Sequence, residues 1–192
     1  MSEVLRVEQF NREKVLEGMM RDGAVSVPLI HDNFRKALEI EAKRSQRLPW
    51  VSGETFCSAG NIDLFKQTGA ALGELVQNNF GDCLDKEFSF NILGLNTYRF
   101  LGALAPHADG GYRGMVCIVV IDGRARFYSS PTGDYEDFYQ TRRQIPNDGG
   151  DVIFMRAYGF QETKQYIIHQ VGWVKSLRRD SLLLRWSSSG KG

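Results

Sequence analysis

The side chains in this chain able to hold a metal are few and well separated. Of its three histidines, His31, His107 and His169, one lies two residues before a carboxylate, in the run Pro106-His107-Ala108-Asp109. Side chains two residues apart leave the same face of an extended strand, so His107 and Asp109 can grip one ion as a chelating pair. A third ligand is then needed, and His169, at the end of the apolar run Tyr166-Ile167-Ile168, is the candidate. His31 stands at the start of a helical pattern and reads as a surface or capping residue. Two histidines and one carboxylate on one face, with the opposite positions open, suit non-heme Fe(II) and its oxygen chemistry. The same donor set also binds zinc.

The sequence beyond His169 sharpens this. Arg179 follows it by ten residues, and Ser181 completes an Arg-X-Ser pattern. Together, His-X-Asp, a distal His and Arg-X-Ser resemble the signature of the Fe(II)- and 2-oxoglutarate-dependent oxygenases, over roughly Phe88 to Trp186. The resemblance implies Fe(II), 2-oxoglutarate as co-substrate and O2, with His107, Asp109 and His169 as metal ligands. It also implies that Arg179 binds the far carboxylate of 2-oxoglutarate through two charge-assisted hydrogen bonds, with the Ser181 hydroxyl beside it. Asn96-X-Tyr98 and Arg179-X5-Arg185 resemble features of the AlkB-like branch. On that likeness Asn96 and Tyr98 contact 2-oxoglutarate, and Arg185 reaches the region of the iron-bound carboxylate. The chain departs from that branch in its shorter gap between His169 and Arg179, and in lacking recognisable nucleotide-reading segments before the metal strand. Arg178 adjoins Arg179, and a register shift of one residue would exchange their faces.

The reaction implied is hydroxylation of an unactivated C–H bond, with release of succinate and CO2. Asp109 stands where halogenating relatives carry Gly or Ala. The favoured substrate is a small molecule, an amino acid or a natural-product intermediate. The alternatives are an AlkB-like nucleic-acid demethylase or base hydroxylase, a protein-residue hydroxylase, a class that more often carries a lysine where Arg179 stands, and a non-enzymatic, cupin-like metal-binding module. Trp50, Phe56 and Tyr112 are candidate substrate contacts, although aromatics at such positions more often belong to a core.

Composition sets the outer bounds. The 192 residues, 42% hydrophobic and 24% charged, suit one soluble globular domain able to bury a sizeable core. No apolar run reaches membrane-spanning length, and the N-terminus lacks the layout of a secretion signal, so the expectation is a cytoplasmic protein with no membrane partner. Cys57, Cys83 and Cys117 are widely spaced, which favours idle reduced thiols over disulfides or a zinc site. The net charge of +1 divides unevenly, 11 basic against 14 acidic side chains in residues 1–96 and 13 against 9 in residues 97–192. A pocket for a dianionic co-substrate accounts for some of that excess.

The elements that must position these residues follow from periodicity. Val7 to Arg21 reads as an amphipathic helix stopped by Asp22-Gly23, and Ala24 to Ile30 as a short strand. A second helix follows, capped by Asp32 or Asn33, and fades into the basic tract at 43–47. Residues 48–61 read as extended or irregular, and Ile62 to Phe80 as a third helix whose Gly69 and Gly73 permit close packing. Beyond Phe88 come short strands, a continuous apolar one at Met115 to Ile121 followed by a hairpin signal at Asp122-Gly123, and others at 124–128, 151–155, 165–169 and 181–186. The expected fold is α+β, a double-stranded β-helix (jelly-roll, cupin-like) core at 88–186 with a helical N-terminal region, residues 1–87, packed on it. The whole forms one domain, followed by a flexible tail at 187–192.

Overall fold

The computed structural model describes residues 3–46 and 54–188. The helices are α1 (Arg12–Asp22), α2 (Asp32–Ser45), α3 (Asp63–Phe80) and the short α4 (Phe138–Thr141). The strands are β1 (Ala24–Pro28), β2 (Glu54–Ser58), β3 (Ile92–Arg99), β4 (Leu104–Ala108), β5 (Met115–Asp122), β6 (Phe127–Ser130), β7 (Arg143–Ile145), β8 (Asp151–Arg156), β9 (Ile168–Val171) and β10 (Arg178–Arg185). They form two antiparallel sheets, a six-stranded one in the order β1-β8-β5-β10-β3-β2 and a four-stranded one in the order β4-β9-β6-β7. This is the expected α+β jelly-roll core with helices on its outer face. The first 87 residues supply the two edge strands of the larger sheet, β1 and β2, as well as helices α1 to α3.

The continuous apolar run of β5 has a simple cause: both of its faces are covered. Cys117, Val119 and Ile121 join Leu95, Phe154, Leu182 and Leu184 in a core shared with Met19, Leu38, Phe65, Leu72 and Val76 of the helices. The alternate residues Val116, Ile118 and Val120 turn inward, to Phe127, Ile145 and Val171 of the smaller sheet. Each such side chain contributes about 1.5–3 kcal/mol by leaving water. On β10 the same alternation sends Leu182 and Leu184 to the helices and leaves Arg179, Ser181, Leu183 and Arg185 facing the space between the sheets. Three polar side chains at positions that packing alone would make apolar mark that space as functional.

Several boundaries differ from the sequence reading. The first helix begins at Arg12, because Asn11 accepts a hydrogen bond from the Lys14 amide and caps it there; Val7–Gln9 form a separate 3-10 turn. Gly23, at φ 82°, ends that helix. The second helix takes His31 as its N-cap, without a side-chain hydrogen bond, in place of Asp32 or Asn33. Gly69 does permit close approach, but of helix to sheet: a Cβ there would lie 3.1 Å from Leu93 on β3.

The turn at Asp122-Gly123 is not a hairpin. β5 and β6 belong to different sheets, and the chain crosses between them through Gly123 at φ 83°. A Cβ on Gly123 would stand 2.2 Å from the Arg178 carbonyl oxygen, so the turn presses directly on the start of β10. Asx-Gly chemistry serves a sheet-switching turn as well as a two-residue hairpin, so the dipeptide could not tell them apart. Gly123→Ala combines a left-handed backbone with a backbone clash and should cost about 2–3 kcal/mol, lowering Tm by roughly 5–10 °C in a thermal melt.

Candidate metal centre

β4 and β9 are neighbours in the smaller sheet, and their register sets His107 directly opposite His169, with Ala108 opposite Ile168. Asp109 lies one residue past the end of β4. The result is a cluster in which one donor atom from each of His107, Asp109 and His169 lies within 4.8 Å of the others. The imidazole rings stand 4.1 Å apart between centroids, and Phe127 stacks on His169 at 5.7 Å. Asp109 and His169 are buried, and His107 is half-buried.

The hydrogen bonds orient the donors. His107 Nδ1 donates to the Ala105 carbonyl at 2.9 Å, the tautomer that leaves Nε2 bare for a metal. Asp109 Oδ1 accepts from Arg185 Nη2 at 2.8 Å. Its Oδ2 is buried, finds no hydrogen-bond partner among the described residues, and lies 3.8 Å from His169 Nε2. A buried carboxylate oxygen left bare beside two imidazole nitrogens is what a divalent cation would satisfy. The residues fit Fe(II), with zinc as the chemical competitor.

Burial pushes His169 down to about 4, against a smaller upward pull from Asp109. The folded ring is therefore neutral at physiological pH, as a ligand must be. Between about pH 6.5 and 4 the unfolded ring takes up a proton that the folded ring refuses. Stability is thus full above pH 6.5 and falls with acidification, by about 3 kcal/mol for this group. His169→Gln should flatten that region of the stability profile, measured by urea denaturation of the metal-free protein at pH 7 and pH 4.5.

A cavity of about 320 Å³ between the sheets opens from this cluster. Its walls include His107, Asp109, His169, Asn96, Tyr98, Arg179, Ser181, Arg185 and Phe56. The pairing of β10 with β3 explains the convergence: Arg179 lies opposite Tyr98, and Ser181 opposite Asn96, all on the inward face. Arg179 is 1% exposed, with its guanidinium over the Tyr98 ring at 5.5 Å. Asn96 Nδ2 donates to Tyr98 Oη at 3.3 Å. Arg178 faces the other way, where it donates to Asp180 at 2.6 Å and to the Ala42 carbonyl of α2 at 3.0 Å. Arg185 pairs with Asp109 while its guanidinium packs over Tyr112 at 4.7 Å.

Of the three candidate substrate contacts, Phe56 is in the cavity wall and 53% exposed. Its ring lies across Gly94, where a Cβ would be 2.1 Å from it. Tyr112 is not in the wall and instead backs Arg185. Trp50 lies outside the described residues. Sequence reasoning missed Leu104, Ile118, Phe127, Val171 and Leu183, which make the apolar wall. It also missed Tyr135, whose hydroxyl accepts from the Ala108 amide at 2.9 Å, between two of the triad residues. No signal distinguishes such residues from an ordinary core or loop.

No family model matches the sequence, and no curated protein matches it. Solved structures match the fold closely. The prolyl-4-hydroxylase of Pseudomonas putida aligns with a TM-score of 0.63 at 12% identity, covering 95% of this chain and 100% of that one. An oxidoreductase of the 2OG-Fe(II) oxygenase family from Burkholderia pseudomallei gives 0.64 at 15% identity, covering 93% and 91%. The non-heme alpha-ketoglutarate-dependent epimerase SnoN of nogalamycin biosynthesis gives 0.67 at 14% identity, covering 92% and 83%. The double-stranded β-helix of this chain is the fold it shares with the 2OG-Fe(II) oxygenase and the alpha-ketoglutarate-dependent epimerase.

Proposed function

We propose that the protein is an Fe(II)- and 2-oxoglutarate-dependent dioxygenase that hydroxylates a small molecule, an amino acid or natural-product intermediate. The observation that carries the reading is the polarity of one cavity. A triad with a bare carboxylate oxygen, carried by β4, β9 and the residue after β4, and a buried arginine on β10 of the facing sheet line the same cavity. His107, Asp109 and His169 would hold the iron, which when bound supplies oxygen activation coupled to decarboxylation of the keto acid. Arg179 would receive the far carboxylate of 2-oxoglutarate as a planar, desolvated partner, with Ser181 beside it. Tyr98 backs that guanidinium, and Asn96 fixes the Tyr98 hydroxyl. Arg185 holds Oδ1 of Asp109, which leaves the unpartnered Oδ2 as the oxygen best placed for the metal. The apolar wall of Leu104, Ile118, Phe127, Val171 and Leu183 excludes water around the reacting groups.

The compact cavity, with the half-exposed Phe56 at its wall, suits one small substrate group beside the co-substrate. Among proteins of this fold, SnoN has been seen with Fe3+, alpha ketoglutarate and nogalamycin RO, and a Trichoplax adhaerens prolyl hydroxylase with a peptide fragment. We place the enzyme in the reducing cytoplasm, which suits ferrous iron and three separated thiols. Succinate release with Fe(II) and 2-oxoglutarate, screened over amino acids and natural products beside alkylated oligonucleotides, tests the reading. Turnover of a small molecule, indifferent to salt, is expected. Turnover of oligonucleotides alone, with steep salt dependence, would replace the substrate half by the base-demethylase alternative. Iron-loaded protein that never consumes 2-oxoglutarate would overturn the whole.

Gly94→Ala should push the Phe56 ring from its seat while leaving the rest of the strand in place. Expected are a Tm within a few degrees of the parent and a raised KM for the hydroxylated substrate, with 2-oxoglutarate binding unchanged.

A further inference from the structure

Four exposed large apolar side chains, including the two most exposed among the described residues, are gathered on two adjacent loops. Leu177 is 82% exposed and Trp173 71%, on the β9–β10 connection; Leu101 is 52% and Phe100 48%, on the β3–β4 connection. Backbone hydrogen bonds join the two loops: Phe100 donates to the Leu177 carbonyl, Leu101 to that of Val174, and Val174 to that of Gly102. Leu101 is held at φ 64°, a left-handed conformation that leucine seldom adopts. The four side chains thus form one fixed ledge, and so large an exposed apolar group on a soluble domain marks a contact surface.

The segments that build and adjoin the ledge carry charge of a single sign. Segments 99–103, 123–126 and 172–179 contain six basic residues and no acid. Arg179 turns into the cavity and Arg178 toward α2, while Arg124, Arg126 and Lys175 are exposed. The neighbouring acids are occupied: Asp122 accepts from the Gly123 amide, and Asp180 binds Arg178 and Thr97. The 123–126 segment is tied to the ledge where Lys175 donates to the Arg124 carbonyl and Arg124 to Ser176 Oγ. Beside Trp173, a groove of about 500 Å³ is lined by Arg126, Arg142 and Lys175 together with Tyr128.

We propose that this ledge is a peripheral docking surface for an anionic lipid bilayer, with Leu101, Trp173 and Leu177 entering the headgroup region and the basic ring meeting lipid phosphates. Tryptophan and leucine tips encircled by lysine and arginine match the chemistry of that interface. Two of the four tips are aliphatic and offer nothing for a base to stack on, which favours lipid over single-stranded nucleic acid. The contact is peripheral, since among the described residues no helix is long and apolar enough to cross a membrane. A membrane contact of any kind was not expected from the sequence. The register gives the orientation: Leu104 pairs with Val171 at the ledge end of β4, and His107 pairs with His169 toward the other. A docked molecule would keep its metal-binding end away from the bilayer. The proposal does not depend on the oxygenase reading.

The test is co-sedimentation of the full chain with phosphatidylcholine vesicles, with and without phosphatidylserine. Binding to the anionic vesicles, weakening steeply as salt rises, is expected. A Leu101→Ser/Leu177→Ser variant and an Arg126→Glu/Lys175→Glu variant should each lower partitioning by about tenfold or more at unchanged Tm, since all four side chains are at the surface. Equal binding to neutral vesicles, or equal binding by both variants, would overturn the proposal. So would a dimer that the leucine variant dissociates in the absence of any vesicle binding, or retention of single-stranded DNA without it; the first would assign the ledge to a second copy and the other to nucleic acid.

Discussion

His107→Ala is expected to abolish turnover and Fe(II) binding while leaving the fold intact. The ring is half-buried, and its hydrogen bond among the described residues goes to the Ala105 carbonyl, so truncation strands little. A drop in turnover of at least about a thousandfold, with Tm shifted by only a few degrees, separates a ligand from a packing residue. Asp109→Ala should behave differently. It removes the partner of Arg185, leaving a cation that is 12% exposed without its carboxylate, so metal binding and about 3 kcal/mol or more of stability should fall together. Asp109→Asn, which keeps an oxygen toward Arg185, should restore much of the stability and not the turnover. Turnover by His107→Ala at the parent level would remove the triad from the account.

Arg179→Ala should weaken 2-oxoglutarate binding by about 30- to 1000-fold, the 2–4 kcal/mol expected for a desolvated charge pair that loses one partner. Iron binding in the absence of 2-oxoglutarate should be unchanged. Arg178→Ala is the control, because its guanidinium joins Asp180 of β10 to the Ala42 carbonyl of α2. It should destabilise the fold through buried Asp180 and leave 2-oxoglutarate affinity near the parent value. If the two phenotypes were exchanged, the face assigned to β10 would be wrong by one residue.

What the sequence made legible was set by chemistry that spacing can express. A histidine and an aspartate two apart in extended backbone leave the same side of the chain, so two of the three triad residues could be read without any tertiary information. Arg179 was harder, since the neighbouring Arg178 has the same side chain and β10 shifts register against β5 between Asp180 and Ser181. Only the pairing of Arg179 with Tyr98 and Ser181 with Asn96 gives them a common wall. The apolar lining could not be read at all, because Ile118 and Leu183 in a cavity wall look like Cys117 and Leu182 in a core. The Asp122-Gly123 turn was misread for a related reason. Local turn chemistry specifies a backbone conformation, and which sheet the chain enters next is decided by the covered faces of β5 and the close approach of the Arg178 carbonyl. Tyr135 is the plainest case: its hydroxyl reaches a backbone amide 27 residues away, and no pattern in the chain announces it.

The most direct test of the account is anaerobic titration of the metal-free protein with Fe(II) and then 2-oxoglutarate, following the weak visible absorption of the keto-acid chelate. The account requires the band to form at one iron per chain, to disappear in His107→Ala and His169→Gln, and in Arg179→Ala to appear only at much higher 2-oxoglutarate. Iron binding without the band, or a band indifferent to all three substitutions, would contradict it and leave the barrel as a metal-binding module of another kind.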